Sequence, residues 1–92
     1  MTDAELLAKV KIGLGITTDF QDETLKIYID EVKATMLDAG VKESVINSTA
    51  SVGCIIQGVN DLWNYTSGGT KFSEFFKQRL IQLSTRKGVS NV

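Results

Sequence analysis

"VGCIIQGVNDLWNYTSGG", residues 52–69, decides the fold of this 92-residue chain. Valine and isoleucine favour strands, yet the polar residues of GCIIQGV do not alternate with a period of two, so the stretch reads as a helix. At 3.6 residues per turn, Val52, Ile55, Ile56, Val59, Leu62 and Trp63 share an arc of about 120°, the width of a core-facing stripe. A second line, Ser51, Cys54, Gly58 and Tyr65, runs along another side and is mostly small, which lets a second backbone approach closely. Gly53 and Gly58 each cost a helix about 1 kcal/mol relative to Ala, a penalty that only close packing offsets. A helix packed on two sides is a central one.

Working outward, the breaks fall at glycines and capping residues, because the chain has no proline. Thr2 and Glu5 fit a capping box that starts a first helix, in which Leu6, Leu7, Val10 and Leu14 share a side and which Gly13 and Gly15 end. Thr18 or Asp19 is placed to cap a second helix, with Asp22 and Glu23 at the positive end of its macrodipole and Gly40 at its close. Its inward stripe is Leu25, Tyr28, Ile29, Val32, Met36 and Ala39. Lys26 is spaced to pair with Glu23 and with Asp30 on the outer side. Residues 41–47 read as a short helical turn with Val41, Val45 and Ile46 inward, and Ser48 or Thr49 caps the central helix. Residues 67–69 turn the chain, Thr70 to Ser73 restart it, and Phe72, Phe75, Phe76, Leu80 and Leu83 face inward from a last helix. The fold class is therefore all-α: a compact bundle of four main helices plus one short helix.

Composition narrows the function by exclusion. The apolar fraction of 42% and charged fraction of 23% are those of a globular protein. No apolar stretch approaches the roughly 20 residues of a membrane span, and MTDAELLAKV is too polar and acidic for a signal peptide, so no membrane partner and a cytoplasmic start are expected. With no histidine and Cys54 as the sole cysteine, neither a disulfide nor a zinc site is expected, and no cofactor is implied. No catalytic residue is assigned. A Ser or Cys nucleophile lacks its usual base, and Cys54 falls among apolar neighbours where a thiol is inert. The pairs Asp22–Glu23 and Asp30–Glu31 are sequence neighbours about 100° apart around a helix and do not converge. Gly13-Leu14-Gly15 and Ser67-Gly68-Gly69 do not fit a phosphate loop. Ser44 does not fit the prosthetic-group serine of an acyl carrier protein, because it follows Glu43 and precedes Val45.

A chain of this size buries only about 60 to 65% of its unfolded surface, so help from neighbours is expected. Ile27, Ala34 and Leu37 sit opposite the core stripe of the second helix, Ile81 sits opposite that of the last, and Arg79 falls within the last helix's apolar face. Together they suggest contact surface, with Arg79 paired across it, since guanidinium suits partly buried ion pairs. Charge is also unevenly placed: residues 1–70 carry ten acids and five bases, residues 71–92 one acid and five bases. The interface residues expected on these grounds are Ile27, Leu37, Cys54, Gly58, Tyr65, Arg79, Ile81, Arg86 and Lys87.

The order of features resembles the small head-tail connector (adaptor) proteins of tailed bacteriophages across about residues 5–84. Leu7, Lys11, Leu14 and Ile16 match the family's leading helix, Asp22 and Glu23 the acid pair that opens its long second helix, and Trp63, Asn64 and Tyr65 the aromatic close of the next. The absence of proline departs from many members. The resemblance implies a non-enzymatic virion protein at the head–tail junction, made in the host cytoplasm. It also implies a homo-oligomeric ring beneath the portal protein that extends the channel, docks a stopper or tail-completion protein, and meets DNA only as non-specific passage. Residues 1–84 are expected to form the connector domain and 85–92 a flexible tail. The alternative is a small helical DNA-binding regulator using the basic C-terminal helix, but FSEFFKQRLIQL offers few readout residues, and the chain's overall acidity opposes it.

Overall fold

A computed structural model of the chain describes residues 1–64 and 72–85. Helices α1 (Asp3–Leu14), α2 (Asp22–Asp38), the four-residue α3 (Glu43–Ile46), α4 (Val52–Trp63) and α5 (Glu74–Ser84) follow one another, with a 3₁₀ turn (Thr49–Ser51) leading into α4. Among the described residues there is no strand. The expected all-α architecture of four main helices and one short one is the observed one.

Local chemistry sets the helix ends. The Thr2–Glu5 capping box forms in both directions: the Glu5 amide donates to Thr2 Oγ1 at 3.1 Å and the Thr2 amide to Glu5 Oε1 at 2.8 Å. These hydrogen bonds hold the Glu5 carboxyl below its ordinary pKa. Gly15 and Gly40, at φ +73° and +93°, terminate α1 and α2 in the left-handed conformation that suits glycine. In each case the two following amides turn back into the helix: Gly15 to Ile12 and Ile16 to Lys11, Gly40 to Leu37 and Val41 to Met36. Gly13 is not an end. It lies inside α1, where an added Cβ would come within 2.7 Å of Ile56 on α4.

One further start differs from the expected one. Neither Thr18 nor Asp19 caps α2; the N-cap is Gln21, with no side-chain cap, because the Asp19 carboxylate is drawn back to Lys11. Ser73 caps α5, accepting from the Phe76 amide at 3.2 Å.

The core gathers around α4, which packs against α1, α2 and α5. Val10, Leu25, Val32, Met36, Val45, Ile55, Val59 and Phe76 are fully buried, each large aliphatic or aromatic one contributing about 1.5–3 kcal/mol by leaving water. Tyr28 meets Trp63 edge-on at 6.0 Å, and Phe72 stacks on Phe76 at 4.6 Å. Ser51, the fully buried polar residue of this core, is satisfied by donating to the Ile46 and Ser48 carbonyls. Two residues leave their expected stripes. Ala39 is exposed as the C-cap of α2, and Phe75 is 61% exposed because Phe72, Phe76 and Leu83 already fill the side of α5 that meets α4.

Candidate interface surfaces

The line of small residues on α4 serves the subunit itself. Cys54 and Gly58 are fully buried, and a Cβ on Gly58 would come within 2.7 Å of Phe76 and 2.9 Å of Val32, so α5 and α2 are already seated there. Neither residue presents surface to a neighbour, which corrects their assignment to an interface. Burial pushes the Cys54 thiol up to about 11, against a smaller opposing effect of the Arg79 charge, so it is not a thiolate at neutral pH. Tyr65, Arg86 and Lys87 lie outside the described residues.

The side chains opposite the core are where the sequence puts them: Ile27, Ala34, Leu37 and Ile81 are all exposed. Three more apolar residues join them that the periodicity did not mark, namely Ile12 at 80% exposure, Phe20 at 91% and Phe75. Phe20 sits in the connection between α1 and α2, inside TTDFQDE, and the available signal was an aromatic residue flanked on both sides by polar ones. Its corner is braced. Lys11 Nζ lies 2.8 Å from both Asp19 Oδ1 and Asp22 Oδ1, so the last turn of α1 is tied to the connection and to the first turn of α2. The bond to Asp19, then the Asp22 carboxylate, raises the Lys11 pKa, and the same bond lowers that of Asp19.

Arg79 lies half-buried with its guanidinium against the first turn of α4. An added Cβ on Gly53 would meet Arg79 Nη2 at 2.6 Å, so the missing side chain is the notch in which the guanidinium rests. Among the described residues Arg79 has no ion-pair partner, and residues 65–71 and 86–92 contain no Asp or Glu.

A second polar arrangement positions α5. Asp61, in the last turn of α4, accepts from Gln57 Nε2 at 3.1 Å through one oxygen. Its other oxygen accepts from the Ser73 amide at 3.0 Å and the Ser73 hydroxyl at 2.8 Å. The same Ser73 hydroxyl caps α5, so the carboxylate, the cap and the helix form one chain of hydrogen bonds. This was not legible beforehand, because nothing in the spacing of Asp61 and Ser73 marks a pair twelve residues apart. On the outer side of α2 the Lys26–Glu23 pair forms at 3.5 Å, whereas no Lys26–Asp30 pair is present among the described residues.

A cavity of about 370 Å³ opens between α1 and α2, with Leu6, Leu7 and Ile29 in its wall and Lys26, Asp30 and Lys33 at its charged edge. No Ser, Thr, Cys or His lines it. Among the described residues no cluster of three metal-ligating side chains occurs, and no helix is long and apolar enough to cross a membrane.

A small all-helical subunit with a doubly packed central helix and apolar residues left outside it is the frame that the sequence resemblance implied. Residues 4–87 match the phage gp6-like head-tail connector protein family. The chain belongs to that family. No curated protein and no solved structure matches it. The connector is thus a structural component of a phage virion, and the match spans all five helices.

Proposed function

We propose that this connector assembles into a homo-oligomeric ring beneath the portal of a DNA-filled capsid, extends the channel, and docks a stopper or tail-completion protein. The observation that carries the reading is the set of large apolar side chains left in water, Phe20, Ile27, Leu37, Phe75 and Ile81, on a fold whose core is already closed. These positions lie on separate elements, the α1–α2 connection, α2 and α5. A ring needs such an arrangement, because one face of each subunit meets a different face of the next. The acidic body and basic C-terminal segment suit the same head-to-tail contact.

The test is light scattering and electron microscopy of the pure protein, alone and with portal-bearing capsids. Rings on the portal support the proposal; capsids that take up no protein reject it. Charge reversal at Arg79, Arg86 and Lys87 is expected to impair assembly. A chain truncated after Leu83 reports whether the last residues are needed for attachment. A regulator would instead bind duplex DNA with an affinity falling steeply as salt rises. That reading loses support where Arg79 rests on Gly53, leaving α5 only Lys77, Gln78 and Gln82 as exposed readout groups.

A further inference from the structure

We propose that Arg79 and Phe75 of one subunit receive the Phe20 corner of the next, with a carboxylate beside Phe20 completing the ion pair that Arg79 lacks among the described residues of its own chain. This names the partners within the ring contact and so rests on the ring reading. Three observations converge on it.

The first is the state of Arg79. A guanidinium is poorly placed near the N-terminus of a helix, where the backbone dipole is positive, and a half-buried one has lost part of its hydration. Its tip rests in the Gly53 notch, which admits Nη2 where a Cβ would stand. A charge seated there, partly desolvated and unpaired among the described residues, is prepared for an acceptor from outside. Phe75 lies one helical turn before Arg79, and so on the same side of α5, and it is exposed. The receiving surface is therefore an aromatic ring beside a guanidinium.

The second is the Phe20 corner, whose chemistry is the complement of that surface. Phe20 is the most exposed large apolar side chain described, and Asp19 beside it and Glu23 one turn into α2 keep side chains that are 92% and 89% exposed. The in-chain pair of Glu23 with Lys26 is an exposed one worth little, so a better donor replaces it at small cost. Burying one phenylalanine removes on the order of 150–250 Å² from water, which is the scale of an interface anchor.

The third is placement. The corner is built by the end of α1 and the start of α2, the receiving surface by α4 and α5, and Lys11 braces the first while Gly53 makes room for the second. Two preformed and different patches are what a head-to-tail contact uses.

The experiment places a photo-crosslinking amino acid at position 20 of the full chain and assembles the protein on portal-bearing capsids. Crosslinks from position 20 to α5 of another subunit are expected; crosslinks to portal, or to a different face of the neighbour, overturn the assignment. Mixing supplies a second readout. Phe20→Ala and Arg79→Glu are each expected to weaken subunit association on the order of tenfold or more. Together they are expected to give one-to-one pairs that do not grow, because only one intact contact exists between them. Gly53→Ala guards against misfolding as the explanation: it displaces only the tip of a flexible side chain, so far-UV circular dichroism is expected to stay unchanged while association weakens. If all three variants form rings like the unaltered protein, the assignment falls and the ring reading stands. If the unaltered protein forms no ring on the portal, the ring reading itself falls.

Discussion

Gly58 and Gly53 stand five residues apart on α4, and an added methyl would collide at almost the same distance, 2.7 Å and 2.6 Å. The obstacles differ in kind. At Gly58 they are Phe76 and Val32, both fully buried, with nowhere to move inside a close-packed interior. At Gly53, itself exposed, the obstacle is the end of a half-buried arginine. The same atom added to the same helix therefore tests the core at one position and the outer surface at the other. A glycine in a helix reports that something comes close; what comes close decides whether fold or association depends on it.

The contrast is broken most forcefully from the far side of Gly58. Phe76→Ala empties the space that Gly58 and Val32 share, and urea unfolding is expected to show a loss of about 3–5 kcal/mol. Adding Gly58→Ala to that variant is expected to cost far less than it does alone, a coupling that a double-mutant cycle measures. Gly58→Ala by itself is expected to destabilise by about 1–3 kcal/mol, overpacking outweighing the roughly 1 kcal/mol that alanine returns to the helix. If it stabilises the chain, the close approach of α5 and α2 to α4 is not as described.

Asp61→Ala sharpens the comparison by loosening α5 without touching its apolar side. It removes the acceptor for Gln57 and for both Ser73 donors, and the expected loss is about 1–2 kcal/mol in the same unfolding measurement. Gly53→Ala comes next and has the opposite sign. Its expected effect on the isolated subunit is a gain of up to about 1 kcal/mol, since only a flexible tip must shift.

The smallest effect is electrostatic and belongs to the braced corner. The folded-state pKa of Asp19 is depressed, so its contribution is complete above the ordinary carboxylate value of 3.8 and is lost as pH falls from there through the depressed one. Lys11 is raised, so its contribution is complete below 10.5 and is lost as pH climbs through the raised value. Amide protection factors in residues 16–21 are expected to fall at both extremes and to stay flat between them. Lys11→Met removes the pair, and if it leaves those protection factors unchanged, the corner is not held by this contact.

Much of the fold was legible because it rests on local and periodic effects. The stripes Leu6–Val10, Leu25–Ile29–Val32–Met36 and Ile55–Val59–Leu62 are buried as their spacing requires, and the Thr2–Glu5 box and the left-handed glycines 15 and 40 are set by side chains and dihedrals within a few residues. Phe75 escaped the same logic. An apolar face wider than the helix it meets has a margin, and which residue falls on the margin depends on how far α5 rotates against α4. Of the surface, Ile27, Leu37 and Ile81 were legible as residues out of phase, whereas Phe20 was not, because a connection has no period to violate.

Sequence alone determined a helical bundle, its central helix, the absence of histidine for acid–base chemistry and the family to which the chain belongs, since each follows from residue type and near-neighbour spacing. The tertiary structure decided what each glycine of α4 makes room for, that Cys54 and Gly58 are enclosed while Phe20 and Phe75 are not, and that Asp61 reaches Ser73. These depend on how helices distant in sequence come to rest on one another, and that arrangement is set by the summed fit of many side chains rather than by any one stretch.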